Sequence, residues 1–232
     1  MINVPSVNLI IGLRENVPFA LDDFEPIVCL NLDPGVIAVR EDSQFKTMQE
    51  LLDYSKDNPG QINLGAEGPT GNWALQEAVA RDMLGFETNF ISYSGSGPAS
   101  TALLNGDVDV ALVSASAVTT HLEEGIIRVL TVFLPETYEL LPDVPTIKEA
   151  TGTEVPPAGA SARGIAVPKG VDKDIVKVIG DAFLKAFNDP GFKALAKKLG
   201  VPLKYMPSDE FLTHLKEADE LVEKYRDYFP KD

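Results

Sequence analysis

Cysteine is nearly absent. Cys29 stands alone, so neither an internal disulfide nor a thiolate metal cage can form. Histidine is as scarce: His121 and His214 are far apart in the chain, with none of the short spacings that seat zinc. Basic side chains are also short in supply, 20 Lys and Arg against 35 Asp and Glu, a formal charge of −15. A nucleic-acid binder needs a cationic footprint to displace counterions from phosphates, so nucleic acid is excluded as a partner. An anionic membrane surface would repel the chain for the same reason. No apolar run approaches the ~20 residues that span a bilayer, so direct membrane insertion is not expected. The opening Met1-Ile2-Asn3-Val4-Pro5 has neither a basic stretch nor a small-residue cleavage site. It reads like the middle of a strand.

What is present is an ordinary globular composition over 232 residues, 44% hydrophobic and 24% charged. That length suits one large domain or two small lobes. The charge is uneven: residues 1–168 carry 8 basic and 23 acidic side chains, whereas residues 169–232 carry 12 of each. Short β-branched runs alternate with helix-period runs, the pattern of βα units around mostly parallel sheets. Thr47 with Glu50 and Thr146 with Glu149 are capping boxes that open helices. Leu75, Val79 and Met83 recur at spacings of four and predict the buried face of another helix. Gly152, Pro156-Pro157 and Gly159 make the stretch 151–159 the best crossing between lobes. One lobe would comprise residues 1–31 and 159–232, the other residues 32–158.

The C-terminal quarter is helical in period. Ile175, Ile179, Phe183 and Phe187 form one stripe, and Phe192, Leu195, Ala196 and Leu199 another. Phe211, Leu215, Ala218, Val222 and Tyr225 face inward from a long helix beginning at Ser208. All three stripes read as packing surfaces.

Two strand–turn–helix junctions carry the chemistry, at 64–74 and 93–101. The first runs through Gly68-Pro69-Thr70-Gly71-Asn72, the second through Tyr93-Ser94-Gly95-Ser96-Gly97-Pro98-Ala99. A helix N-terminus offers unpaired N–H groups and about half a positive charge, so it can hold a carboxylate without a basic side chain. Neither junction matches a phosphate-binding or dinucleotide fingerprint. No nucleophile-elbow motif surrounds Ser94 or Ser96, and Asp107 with Asp109 reads as a solvated turn plus a structural carboxylate. No catalytic group is identified and no cofactor is expected. Two placements stay open: Trp73 as pocket wall or as packing, and Arg163 as bidentate carboxylate partner or as one half of a salt bridge.

Two ordered stretches, Phe90-Ile91-Ser92-Tyr93-Ser94-Gly95-Ser96-Gly97-Pro98-Ala99 and Leu103-Leu104-Asn105-Gly106-Asp107-Val108-Asp109, resemble the solute receptors of tripartite tricarboxylate transporters, the TctC or Bug family. So do Leu141-Pro142-Asp143-Val144-Pro145-Thr146 with Glu149-Ala150, Ile165-Ala166-Val167-Pro168-Lys169-Gly170, and Asp23-Phe24-Glu25-Pro26-Ile27-Val28. The resemblance implies an α/β fold of the two-lobed, type II periplasmic-binding-protein kind, lacking the strand–turn–helix that opens lobe one. Without it, lobe one is expected to leave an unpaired sheet edge and to bind poorly. It implies a periplasmic receptor, not an enzyme, that closes on a small carboxylate and delivers it to membrane permease subunits. The expected ligand contacts are the two junctions (Gly68, Pro69, Thr70, Gly71, Asn72; Tyr93, Ser94, Gly95, Ser96, Gly97, Ala99) with Ser114, Ser161 and Arg163. Three departures from the family pattern bear on ligand identity. Glycine and hydroxyl are exchanged at Thr70-Gly71, Ala74 replaces the usual histidine, and Ala162-Arg163 lacks the aromatic residue common before Gly164. The alternatives are a receptor of the same fold that reports to a signalling partner, and an enzyme acting on a small acid.

Overall fold

A computed structural model describes residues 1–13 and 17–229. The chain divides into two units: unit 1 holds Met1–Asp33 and Ser161–Asp227, and unit 2 holds Pro34–Ala160 together with Tyr228–Pro230. Unit 1 opens with β1 (Ile2–Val4), α1 (Ser6–Leu13) and the long β2 (Phe24–Asp33). The chain then builds unit 2 from β3 (Gly35–Arg40), α2 (Met48–Asp57), β4 (Asn63–Glu67), α3 (Asn72–Leu84), β5 (Asn89–Tyr93), α4 (Ser96–Asn105), β6 (Val110–Ser114), α5 (Thr119–Glu123), β7 (Ile127–Val132) and α6 (Ile147–Thr151). It returns to unit 1 for β8 (Ser161–Pro168), α7 (Lys173–Phe187), α8 (Pro190–Lys198), β9 (Leu203–Pro207) and α9 (Ser208–Lys224).

Each unit has its own sheet, ordered β1-β8-β2-β9 in unit 1 and β5-β4-β6-β3-β7 in unit 2. The expectation of mostly parallel sheets fails. Among the described strands only β4–β5 and β4–β6 pair in parallel, while β3 runs against β6 and β7 and the unit 1 pairings are antiparallel. The reason is connectivity: the chain leaves unit 1 along β2 and comes back along β8, so the two run in opposite senses. They stay paired out to Asp33↔Ser161, two residues beyond the passages read from the sequence. The parallel pairs arise where a helix makes the crossover, α3 between β4 and β5 and α4 between β5 and β6.

The inner unit 2 strands are apolar on both faces, with Val36, Ile37, Ala38, Leu64, Val110 and Ala111 fully buried, as a sheet covered by helices requires. In unit 1, Val4, Cys29, Ala162, Met206, Phe211, Leu215 and Ala218 form one cluster beneath α9. Gly164 is required there: a side chain would put its Cβ 2.4 Å from the Phe211 ring. Asn8 ties α1 to the same helix through Leu215 O at 3.0 Å and Asp219 at 3.3 Å.

The predicted helix faces are buried unevenly: Leu75 and Val79 of α3 are fully buried as expected. Met83 is 40% exposed, because Leu84 takes the inward place at the end of α3. More consequentially, α7 contains no buried residue, and Ala196 is the only buried residue of α8. The inner side of α7 rests on β2, where a Cβ on Gly180 would lie 3.4 Å from Ile27. Ile175, Phe192, Leu195 and Leu199 remain exposed.

Candidate functional site

The parallel strands of unit 2 bring both junctions to one sheet edge. Glu67↔Tyr93 and Ala66↔Leu112 are in register, so the carboxyl ends of β4, β5 and β6 lie side by side, where open α/β sheets place ligands. In the first junction, Gly68 and Gly71 close a turn over Pro69 and Thr70, with Gly71 N–H donating to Gly68 O at 3.0 Å. Gly68 N–H donates to Tyr93 O at 2.9 Å and fastens that turn to the next strand. Proline suits the first corner of such a turn because its φ is already fixed there.

The second junction is fastened from the other side. Trp73, 2% exposed in the first turn of α3, donates its indole N–H to Ser96 Oγ at 2.9 Å. Ser114 N–H donates to the same oxygen at 3.2 Å. One hydroxyl therefore joins the starts of α3 and α4 and the end of β6. Ser96 O accepts from Ser100 Oγ at 2.8 Å, which tightens the first turn of α4. That helix begins at Ser96, two residues before Pro98, with proline still inside the first turn, where its missing N–H is harmless.

The indole is held by the absence of side chains around it. A Cβ on Gly35 would come within 2.9 Å of Trp73 Cζ3, and one on Gly159 within 2.8 Å of Cε3. Gln76 extends the brace, accepting from Gly159 N–H at 3.0 Å and donating to Pro156 O at 3.1 Å. Trp73 is thus packed, and it is also a link between the junctions. Nothing in the linear spacing of residues 73 and 96 announces that bond.

Side-chain caps close several helices elsewhere but not those at this edge, a lack shared by α5 and α9. Thr47, Thr146, Asp172 and Asp189 cap α2, α6, α7 and α8 with side-chain oxygens. By contrast, α3 and α4 have glycine N-caps, Gly71 and Gly95, with no side-chain bond and no acidic residue in the first turn. No N-cap side chain therefore satisfies the first amides of either helix. Not every amide expected to face a ligand is available. Gly68 and Gly71 are committed as described, and Ala99 N–H donates to Gly95 O at 3.2 Å. Among the described residues, the junction amides of Thr70, Ser94, Gly95, Ser96 and Gly97 donate to no backbone acceptor outside the regular elements. Asn72 and Ala99 are buried, Ser94 is exposed, and Tyr93 and Ser114 are half-buried.

Ser161 and Arg163 belong to unit 1. Ser161 Oγ donates to Asn3 Oδ1 at 2.9 Å, and Arg163 Nη1 donates to Asn31 Oδ1 at 2.7 Å. No carboxylate among the described residues pairs with Arg163. Asp109 has the structural role read from the sequence, accepting from Asn63 N–H at 2.9 Å. At the opposite end of the unit 2 sheet, Arg40, Asp42, Phe45, Gly106 and Asp109 line a concavity of about 330 Å³, but Arg40 is held by Asp42. No group of three or more metal-ligating side chains occurs among the described residues, and none of their helices is long and apolar enough to cross a membrane.

Comparison with known proteins accords with this geometry. A family profile described as "Tripartite tricarboxylate transporter family receptor" matches residues 8–224. A Cupriavidus necator protein named "UPF0065 protein in gbd 5'region" is 32% identical over 177 residues, covering 75% of this chain and 52% of that protein. The chain thus spans about half the length of the curated relative it matches. A ligand-free TctC solute-binding protein from Polaromonas superposes with a TM-score of 0.83 at 26% identity, over 97% of this chain and 76% of that one. An R. palustris protein solved with adipate has the same fold, with a TM-score of 0.77 at 21% identity over 93% and 72% of the two chains. The chain belongs to the tripartite tricarboxylate transporter receptor family, TctC.

Proposed function

We propose that this chain is the carboxylate-binding part of an extracytoplasmic solute receptor, and that its ligand is a small di- or tricarboxylate held by the starts of α3 and α4. The observation that carries the reading is the pair of glycine-capped, uncapped-by-side-chain helix starts, fastened together through Ser96 at one sheet edge. Amide dipoles fixed in this way interact with a carboxylate without reorganising, so they hold it more strongly than mobile solvent would. Thr70 and Ser94 add hydroxyls that donate to an oxyanion. Ser114, Ser161 and Arg163 are kept as candidate donors on their chemistry alone.

Family membership supports the wider assignment: a periplasmic receptor that hands its ligand to membrane permease subunits and performs no reaction. The adipate seen with the R. palustris protein belongs to the class proposed. Thermal-shift and calorimetric screening of mono-, di- and tricarboxylates tests the reading, since a ligand that binds only the folded state raises its melting temperature. A dicarboxylate or tricarboxylate is expected to raise Tm, and its methyl esters are not. Absence of both shift and heat for every acid, with the protein folded, would overturn the proposal. Turnover of the bound acid would make the protein an enzyme instead.

A further inference from the structure

The chain enters unit 2 at Pro34 and returns to unit 1 after Ala160. Both passages are tied, on the unit 2 side, to the hydroxyl of Ser96. One tie is the Trp73 ring, whose N–H is on that oxygen. It packs on Gly35 and Gly159, each one residue inside a passage, where a Cβ would come within 2.9 and 2.8 Å of it. Gly159 N–H is held as well by Gln76, the next turn of α3. The other tie runs through the backbone. Ser114 N–H donates to Ser96 Oγ at 3.2 Å, and the following amide, Ala115 N–H, donates to Pro34 O at 2.9 Å. Ser114 is also in register with Gly35.

Close-packed interiors pass a displacement on instead of absorbing it. The indole is 2% exposed, and at Gly35 and Gly159 it meets residues with no side chain to give way. We infer that Trp73 is a positioning residue that couples the starts of α3 and α4 to both passages, so that an acid drawn to Ser96 also stiffens residues 34–35 and 159–160. Trp73 acts through Ser96 and does not itself touch the acid. The coupling to an acid rests on the carboxylate reading of those helix starts, whereas the mechanical connection stands or falls without it.

Residue-resolved amide hydrogen exchange on the 232-residue chain, with succinate and citrate as the probe acids, tests the inference. A bound acid should slow exchange of the Ala115 and Gly159 amides, neither of which bonds to Ser96, by about fivefold, the equivalent of one net hydrogen bond. Trp73→Phe keeps an aromatic ring without the N–H. It should weaken binding by about fivefold in calorimetry and remove the slowing at Gly159 even at saturating acid. Gly35→Ala should weaken binding too, although Gly35 is no candidate contact. That loss should disappear in the Trp73→Phe background, whose shorter ring lacks the atoms the methyl strikes; two independent packing defects would add instead. Circular dichroism checks folding, and if Gly35→Ala does not fold, Ser96→Ala decides. With no acid present, Ser96→Ala should speed exchange at Ala115 and Gly159. If no acid binds and Ser96→Ala still loosens both amides, the carboxylate reading fails and the connection holds. Unchanged exchange at both amides in Ser96→Ala overturns the inference. So does an acid that binds without slowing them, or a Gly35→Ala loss that persists in Trp73→Phe.

Discussion

Ser96 shows how little of a site lies in its own local sequence. Its hydroxyl oxygen accepts from Trp73 and from Ser114 N–H, so its proton is left to give, and the residue is set as a donor. The junctions themselves are legible from glycine, small hydroxyls and a following helix period. Their coupling is not, because it depends on a parallel register that only the folded sheet supplies. Gly95 offers a sharp check. A side chain there meets nothing within 4 Å, and its backbone is extended. Gly95→Asp should therefore cap α4 and raise stability by roughly 0.5–1.5 kcal/mol while abolishing carboxylate binding, read by denaturant melts and calorimetry together. Arg163 makes the opposite case. Its partner Asn31 is 7% exposed and also donates to Pro202 O at 2.6 Å. Arg163→Ala leaves a buried acceptor unpaired and should cost ~1–3 kcal/mol; an unchanged melting curve would remove the structural role.

Among elements, the helices differ in how far sequence decides them. The two capping boxes form as read: Thr47 with Glu50 and Thr146 with Glu149 exchange both bonds. The backbone amide of Thr146 holds the Glu149 carboxyl below its ordinary range. Such caps are local and need no partner element. The apolar stripes of α7 and α8 are equally plain in the sequence, but a period says which residues share a face and not whether anything arrives to cover it. Helix α9 is covered, and it carries a titration. Burial pushes the His214 imidazole below its ordinary value of 6.5, opposed by Glu217 and Glu210. The unfolded chain therefore binds the proton more readily than the folded one, so stability is full above about pH 6.5 and falls as the pH drops toward the folded value. His214→Gln should flatten that part of the stability curve in urea melts between neutral and mildly acid pH; an unaltered slope would locate the dependence elsewhere.

Across the whole molecule, the two-sheet α/β organisation was legible from alternating strand and helix signals, while strand direction was not, since a β-branched run looks the same running either way. Charge was the most direct reading. With the net −15 concentrated in residues 1–168, the long-range field repels an organic anion, and capture must be local. The association rate for a dicarboxylate should accordingly rise with added salt as repulsion is screened, measured by stopped flow at constant pH. A rate that falls would point to a steering cation.

One feature gives the experimenter an unplanned advantage. The chain has a single tryptophan, wedged between Gly35 and Gly159 with its N–H on Ser96. Its ultraviolet emission therefore comes from one known place, at the root of both helix starts. An acid settling against those amides would perturb the hydroxyl that the indole touches and shift its colour, so occupancy can be followed in the unmodified protein with no dye attached.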